Sequence, residues 1–261
     1  MKYETIQLET DTRGVATLTL MRPDKHNAMN AQMIDELQHA ADNLGADTSV
    51  RAVILAATGK SFCAGGDLLW MQDQAKQDRA GKIRNSEALA HMLASFNSLP
   101  KMLIGRVHGA AYGGGLGLIA VCDVAIAVTG TKFGLTETRL GLIPATIGPF
   151  IVSKMGSGFS RQVFFGGSFF STDLALRSSL ISHECAPEQL DTLIEDQIQS
   201  VLKCAPGAEA TAKELCLLLG GVSSADMSTM TANALADRWE NAEAQAGIAA
   251  FFDRTPPPWV D

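Results

Sequence analysis

No apolar run in the 261-residue chain reaches the roughly 18 residues that a membrane-crossing helix needs. Basic runs are missing too: 21 Lys and Arg stand against 28 Asp and Glu, a formal net charge of -7. Nucleic acid as the main partner needs a basic face to neutralise phosphates, so it is excluded, whereas a small anionic ligand asks only for a local positive site. The cysteines are few and odd in number, five, with no CxxC pair, which argues against a disulfide framework or a zinc ribbon. Reduced thiols in a cytosolic-type compartment are expected. The five histidines show no metal-ligand spacing, and there is no GxSxG elbow, Walker A loop or HExxH. Met1 to Thr10 alternates polar and apolar residues and carries two glutamates, unlike a signal or transit peptide. A soluble, unprocessed, cytoplasmic chain with no metal and no membrane partner is the expectation.

What is present is an ordinary globular composition, 46% hydrophobic and 19% charged. Val15 to Leu20 alternates with a period of two and reads as a strand, ended by Arg22-Pro23-Asp24. Met33, Leu37, Ala40, Ala41 and Leu44 follow helical spacing up to Gly45. Val53 to Ala57 is an apolar run of the kind covered on both faces. Gly59 to Asp67 reads as a glycine-bearing loop. Ile83, Leu89, Met92, Leu93, Phe96 and Leu99 trace one face of a helix closed by Pro100. Strands at Met102 to Val107 and Val124 to Val128 enclose a glycine cluster and a short apolar helix. Cycles of strand, loop and helix every 40 to 50 residues point to an α/β core. After about residue 187 the strands stop, and helices are expected over Leu190 to Leu202, from Pro206 to Gly220, and over Ala225 to Arg254. No Ser/Gly-rich linker intervenes, so the chain reads as one unit with a helical appendage.

Two glycine turns carry the chemical interest. Ala64-Gly65-Gly66-Asp67 follows the Val53 strand, and Gly113-Gly114-Gly115-Leu116-Gly117 follows the Met102 strand. Glycine lets a ligand approach the backbone closely, and the first amides of a following helix are unpaired. Two such turns facing each other would aim N–H donors at one developing negative charge, the requirement of an oxyanion hole. Gly115 to Ala120 also matches GxGxxA, but no acid ends the next strand; Glu137 lies past a further turn, which argues against a nicotinamide site. Glu137 itself stands in a mostly apolar segment, Phe133 to Pro144, where burial raises a carboxyl pKa toward the range useful for proton transfer. An internal pair with Arg139, or a cap, is the structural alternative.

Arg22-Pro23 with Asn27-Ala28-Met29, Phe62 to Leu68, His108 to Gly115, Cys122-Asp123, Phe133-Gly134 through Glu137 to Pro144, and Gly247 to Arg254 follow one another in order. That ordered set resembles the enoyl-CoA hydratase/isomerase family, also called the crotonase family. The resemblance implies an α/β fold, a spiral of ββα turns over residues 1–200 holding an acyl-CoA site, with a helical trimerisation region over 201–261. It implies a homo-oligomer, trimer or hexamer, and acyl-CoA thioesters as substrates, with no cofactor because coenzyme A belongs to the substrate. Carried over residue by residue, the Gly66 and Gly114 amides hold the thioester oxygen. Ala64, Asp67 and Leu68 line the adenine and pantetheine path; Lys25, His26 and Ala28 lie along the CoA. Phe251 and Arg254 meet it at a subunit contact, and Trp70 and Tyr112 shape the acyl pocket.

One position departs from the family pattern. Hydratases of the family often use two glutamates; Glu137 matches the second, and the first is Gly117 here. Glycine cannot position water, so hydration needs another group or Glu137 alone. The run Asp67-Leu68-Leu69-Trp70-Met71 resembles the bacterial branch near methylglutaconyl-CoA and carboxygeranoyl-CoA hydratases, whose substrates bear a distal carboxylate that Arg139 or Lys25 could meet. A hydratase of a branched or carboxylated 2-enoyl-CoA is the expected activity. A Δ3,Δ2-enoyl-CoA isomerase using Glu137 alone and a non-catalytic acyl-CoA binder stay open.

Overall fold

A computed structural model describes residues 2–220 and 242–259, the side chains of residues 245, 251 and 252 excepted. The chain opens with β1 (Ile6–Thr10) and β2 (Val15–Leu20), an antiparallel hairpin pairing Ile6 with Leu20. A 3-10 turn over Pro23–Lys25 leads to α1 (Ala31–Ala46), capped by the Asn30 side chain accepting from Met33 N–H. Next come β3 (Ala52–Ala57), β4 (Ser61–Cys63), α2 (Leu68–Lys76) and α3 (Arg79–Asn97). Then follow β5 (Met102–Val107), β6 (Ala110–Tyr112), α4 (Gly114–Ala120), β7 (Val124–Val128) and β8 (Phe133–Gly134). After a 3-10 turn over Glu137–Leu140 come α5 (Gly148–Gly166), broken at Gly156, β9 (Phe169–Phe170), α6 (Thr172–Arg177) and β10 (His183–Cys185). Three helices close the described chain: α7 (Leu190–Val201), α8 (Pro206–Leu219) and α9 (Ala242–Asp253).

The pairings show why the pattern repeats. One six-stranded sheet runs β1-β2-β3-β5-β7-β10, parallel from β2 onward, and a four-stranded sheet runs β4-β6-β8-β9. Each of the pairs β3/β4, β5/β6 and β7/β8 puts a longer strand in the first sheet and a short one in the second, and helical structure follows. That is the ββα spiral. The central strands β3 and β7 are apolar throughout because both faces are covered. Leu18, Val53, Leu55, Leu103 and Ala125 are fully buried, and α1, α3 and α4 add Met33, Leu37, Met92, Leu93 and Leu118 to the same core. Ile104 and Ile126 face the other side, against Leu190, Ile194 and Ile198 of α7.

Several expectations need correction. The loop expected over Gly59 to Asp67 contains β4. Ile83 belongs to α3 but is 45% exposed rather than on its core face, and Leu99 lies past the helix end. The helix expected over Ala225 to Arg254 is described only as α9; residues 221–241 lie outside the described ones. α8 docks through charge: Lys213 Nζ reaches Asp123 Oδ2 at 2.8 Å, with both side chains mostly covered, while Leu217 and Leu218 stay exposed.

Candidate functional site

The strands of the second sheet deliver both glycine turns to one place. β4 and β6 are parallel neighbours, so the turns that leave their ends, at Gly65 and Gly113, abut. Gly65 has φ +92°, and a Cβ there would lie 3.0 Å from Tyr112 O and 3.7 Å from Gly113 Cα. Gly113 has φ +46°, and its Cβ would lie 3.8 Å from Gly65 Cα. The positive φ favours glycine at both positions, and at Gly65 the approach to Tyr112 O requires it as well.

The amide between these turns is aimed by a single bridge. Met29 pairs in parallel with Gly66: Met29 N–H donates to Gly65 O at 2.7 Å, and Asp67 N–H donates to Met29 O at 2.8 Å. Since the neighbours on either side face Met29, the Gly66 N–H points the other way. It has no acceptor among the described residues. The Gly114 N–H, first in α4, has none either, as the opening turn of a helix dictates. A Cβ at Gly114 would collide with Met29 Cε, so the Met29 side chain closes that flank.

Glu137 arrives from the third spiral turn. β6 pairs with β8, and Gly113 N–H donates to Gly134 O at 2.9 Å, which sets the chain that follows against the second glycine turn. Glu137 Oε1 lies 3.1 Å from the Cβ position of Gly113. Its Oε2 is buried with no partner among the described residues. Burial pushes this carboxyl above the usual carboxylate range, opposed only by its own backbone N–H. The structural alternative of a pair with Arg139 is not what forms: the Arg139 guanidinium stands over the Phe169 ring, 5.6 Å from its centroid.

Asp67 shares the neighbourhood but not the condition. It caps α2, accepting from Leu69 N–H at 2.9 Å and Trp70 N–H at 3.4 Å, and its other oxygen takes the Arg22 guanidinium at 2.8 Å. Burial works against its ionised form, but Arg22 and the two amides outweigh it and hold the carboxyl below the ordinary range. Arg22 also donates to Ala28 O, and its backbone N–H reaches Asn27 Oδ1 at 2.8 Å, so the segment around residues 22–28 is tied to the start of α2. Cys63, at the end of β4 just before the first turn, is no nucleophile: burial pushes its thiol up to about 12.

The other expected residues fall into two groups. Ala64 joins the cluster through its N–H to His26 O at 3.0 Å, and Ala28 is buried there. Lys25 and His26 are exposed on the tight turn; His26 has φ 51° and Nδ1 3.1 Å from Ser61 Oγ. Trp70 Cε3 lies 3.8 Å from the Cβ position of Gly66 and Met71 Sδ at 3.2 Å, while Leu68 is 76% exposed. The Tyr112 ring packs on Phe169, centroids 5.0 Å apart. Arg254 is exposed just past α9 with no hydrogen bond or ion pair to this cluster, and the side chain of Phe251 lies outside the described ones.

Sequence reasoning missed what stands at position 117. A Cβ on Gly117 would sit 2.7 Å from Ile147 Cγ2 and 3.2 Å from Leu93 Cδ1. These two side chains fill the space, and no spacing rule could link residues so far apart in the chain. Ala90, three residues before Leu93, lines a groove of ≈ 650 Å³ between α3 and the start of α5. Arg79, Lys82 and Glu87 also line it, with Ala145, Thr146 and Pro149 opposite. Among the described residues no group of three or more His, Cys, Asp and Glu could hold a metal, and no helix is long and apolar enough to cross a membrane.

A family model described as enoyl-CoA hydratase/isomerase matches residues 10–261. Among solved structures, an enoyl-CoA hydratase from Shewanella pealeana superposes with a TM-score of 0.95 at 33% identity, covering 99% of this chain and 97% of that one. Pseudomonas aeruginosa AtuE superposes with a TM-score of 0.94 at 34% identity, covering 99% and 100%. Enoyl-CoA hydratase ACTT6 of Alternaria alternata is 30% identical over 215 residues, 82% of this chain and 68% of the relative.

Proposed function

The chain belongs to the enoyl-CoA hydratase/isomerase family, whose members act on acyl-CoA thioesters, and on that footing we propose that it adds water across the 2,3 double bond of a branched or carboxylated 2-enoyl-CoA. The observation that carries this reading is Glu137 Oε2, buried and without a partner among the described residues, beside two glycine turns whose Gly66 and Gly114 amides have no acceptor among them either. In the proposed step Glu137 takes a proton from water as its oxygen bonds to C3. The π electrons move to the thioester oxygen, and that enolate oxygen accepts from Gly66 N–H and Gly114 N–H. Glu137 then returns its proton to C2, so water is added whole. Each such donor contributes about 2.7–4 kcal/mol in the transition state. No cofactor enters, coenzyme A being part of the substrate.

Room and charge support the finer substrate reading. A groove lies beyond Ile147 and Leu93, and Arg79 and Lys82 on its wall have no ion-pair partner among the described residues; a branched or carboxylated acyl group would reach it if those two side chains give way. Lys25, His26, Ala28, Ala64, Asp67 and Leu68 are assigned to the CoA path, and Trp70 and Tyr112 to the acyl pocket. Residues 201–261, with Phe251 and Arg254, are assigned to a trimer or hexamer contact. The exposed Leu140, Leu142, Ile143 and Phe165 suit burial against a second copy.

A second reading has its own observation. With position 117 filled by Ile147 and Leu93, a single carboxyl serves the site, and one carboxyl is enough to carry a proton from C2 to C4 in a Δ3,Δ2-isomerase. Purified protein assayed with crotonyl-CoA, 3-methylglutaconyl-CoA and a 3-enoyl-CoA decides: turnover of a 2-enoyl ester supports the hydratase, and turnover of the 3-enoyl ester alone overturns it. Acyl-CoA binding with no turnover would leave a binding protein.

A further inference from the structure

Six buried side-chain atoms lack a hydrogen-bond partner among the described residues, and two of them belong to residues against the glycine turns: Glu137 Oε2 and Trp70 Nε1. The first is used in the proposed chemistry. The second is not, and a buried donor without an acceptor calls for an explanation. The indole is firmly placed. Trp70 lies in the first turn of α2, whose cap Asp67 is held by Arg22, and one turn on Gln74 accepts from Asn85 of α3 at 2.7 Å. Leu68 and Leu69, just before it, are 76% and 66% exposed, so it is Trp70 that turns inward. Its ring approaches the residue whose amide faces the thioester oxygen in the proposed function.

We propose that Trp70 Nε1–H donates a hydrogen bond to an oxygen on the acyl portion of the substrate, and so selects acyl groups bearing a carboxylate over plain alkyl ones. The proposal rests on the acyl-CoA reading above and names the group that reads the acyl substituent. The indole N–H is a donor only, so its partner is an acceptor. An alkyl substituent enters the same space but leaves the donor unpaired, and a site built around a buried polar group discriminates strongly against a ligand that cannot satisfy it.

The test uses two saturated esters that differ only in a terminal carboxylate or methyl, glutaryl-CoA and pentanoyl-CoA, in competition binding to the full-length protein. The expected wild-type preference for glutaryl-CoA is about tenfold or more. Trp70→Phe keeps a ring and removes the N–H; whatever it does to acyl-CoA affinity in general, it should bring the affinities for the two esters within about twofold of each other. A second reading needs no variant: of the three tryptophan indole N–H resonances, one should shift with glutaryl-CoA and stay put with pentanoyl-CoA. Equal wild-type affinities, a preference that survives Trp70→Phe, or an indole resonance indifferent to the carboxylate each overturn the proposal and leave the hydratase reading standing. Binding of neither ester overturns the acyl-CoA reading itself, and this inference with it.

Discussion

Two carboxylates flank the abutting glycine turns, Asp67 at the start of α2 and Glu137 in the 137–140 turn, and their surroundings differ in kind. Asp67 has a guanidinium on one oxygen and two amides on the other, and its pKa is held low. Glu137 has one oxygen with no partner among the described residues, and burial pushes its pKa up. The paired acid is already held by three donors, so its carboxyl fixes α2 and the segment around residues 22–28. The acid with an open oxygen can accept and return a proton. Buried polar groups are mostly satisfied, and of the six unpartnered atoms this is the carboxyl oxygen that stands against the glycine turns, where a reacting molecule fits.

The largest effect expected is on rate. Glu137→Gln should lower enoyl-CoA turnover by about a thousandfold with an unchanged circular-dichroism spectrum; a rate within tenfold of wild type would dissolve the contrast with Asp67. The same substitution should raise Tm, and by more at pH 8 than at pH 4. The folded pKa of Glu137 lies above the ordinary 4.5, so its neutral form suits the fold and stability is lost as pH rises through the shifted value.

Asp67→Ala should show the opposite profile, a loss of stability of about 3 kcal/mol in urea unfolding, since it strips a cap and leaves Arg22 unpaired. Here the folded pKa lies below the ordinary 3.8, so the stabilisation is present above that value and disappears as pH falls through the lower one. A difference between Asp67→Ala and wild type that persists undiminished at the acid end would break this account. Gly117→Ala should cost about 1–3 kcal/mol through overpacking against Ile147 and Leu93. Gly117→Glu should gain no hydratase activity by itself; a gain would mean the niche opens readily, and pairing it with Ile147→Ala tests that directly. The smallest effect is at Leu68, where Leu68→Ser should change stability by no more than about 0.5 kcal/mol, because that side chain is 76% exposed.

The long strands were legible because Val53 to Ala57 and Val124 to Val128 are apolar runs, and Met102 to Val107 is one interrupted only by Arg106, each bounded by breakers. The helices Leu190–Val201 and Pro206–Leu219 were legible through their period and, for the second, Pro206. The second sheet was not: strands of two or three residues such as Ser61–Cys63 and Phe133–Gly134 are too short to carry a period. Helix Gly148–Gly166 was unforeseen, its pattern blurred by Gly156, Gly158 and the break at Gly156. In the site, Glu137 and the two glycine turns could be singled out from residue type and neighbours. The Met29 bridge, the Arg22–Asp67 pair and the Ile147–Leu93 plug could not, because each joins segments brought together only by the spiral.

The bridge at Met29 has a mechanical meaning. It stitches the turn carrying Lys25 and His26 to the backbone of Gly65 and Asp67, so the two pieces swing together. Whatever grips that turn from outside also steadies the Gly66 amide. A thioester cut short to its N-acetylcysteamine stub, with nothing to seize the distant handle, should therefore be processed sluggishly rather than merely held loosely.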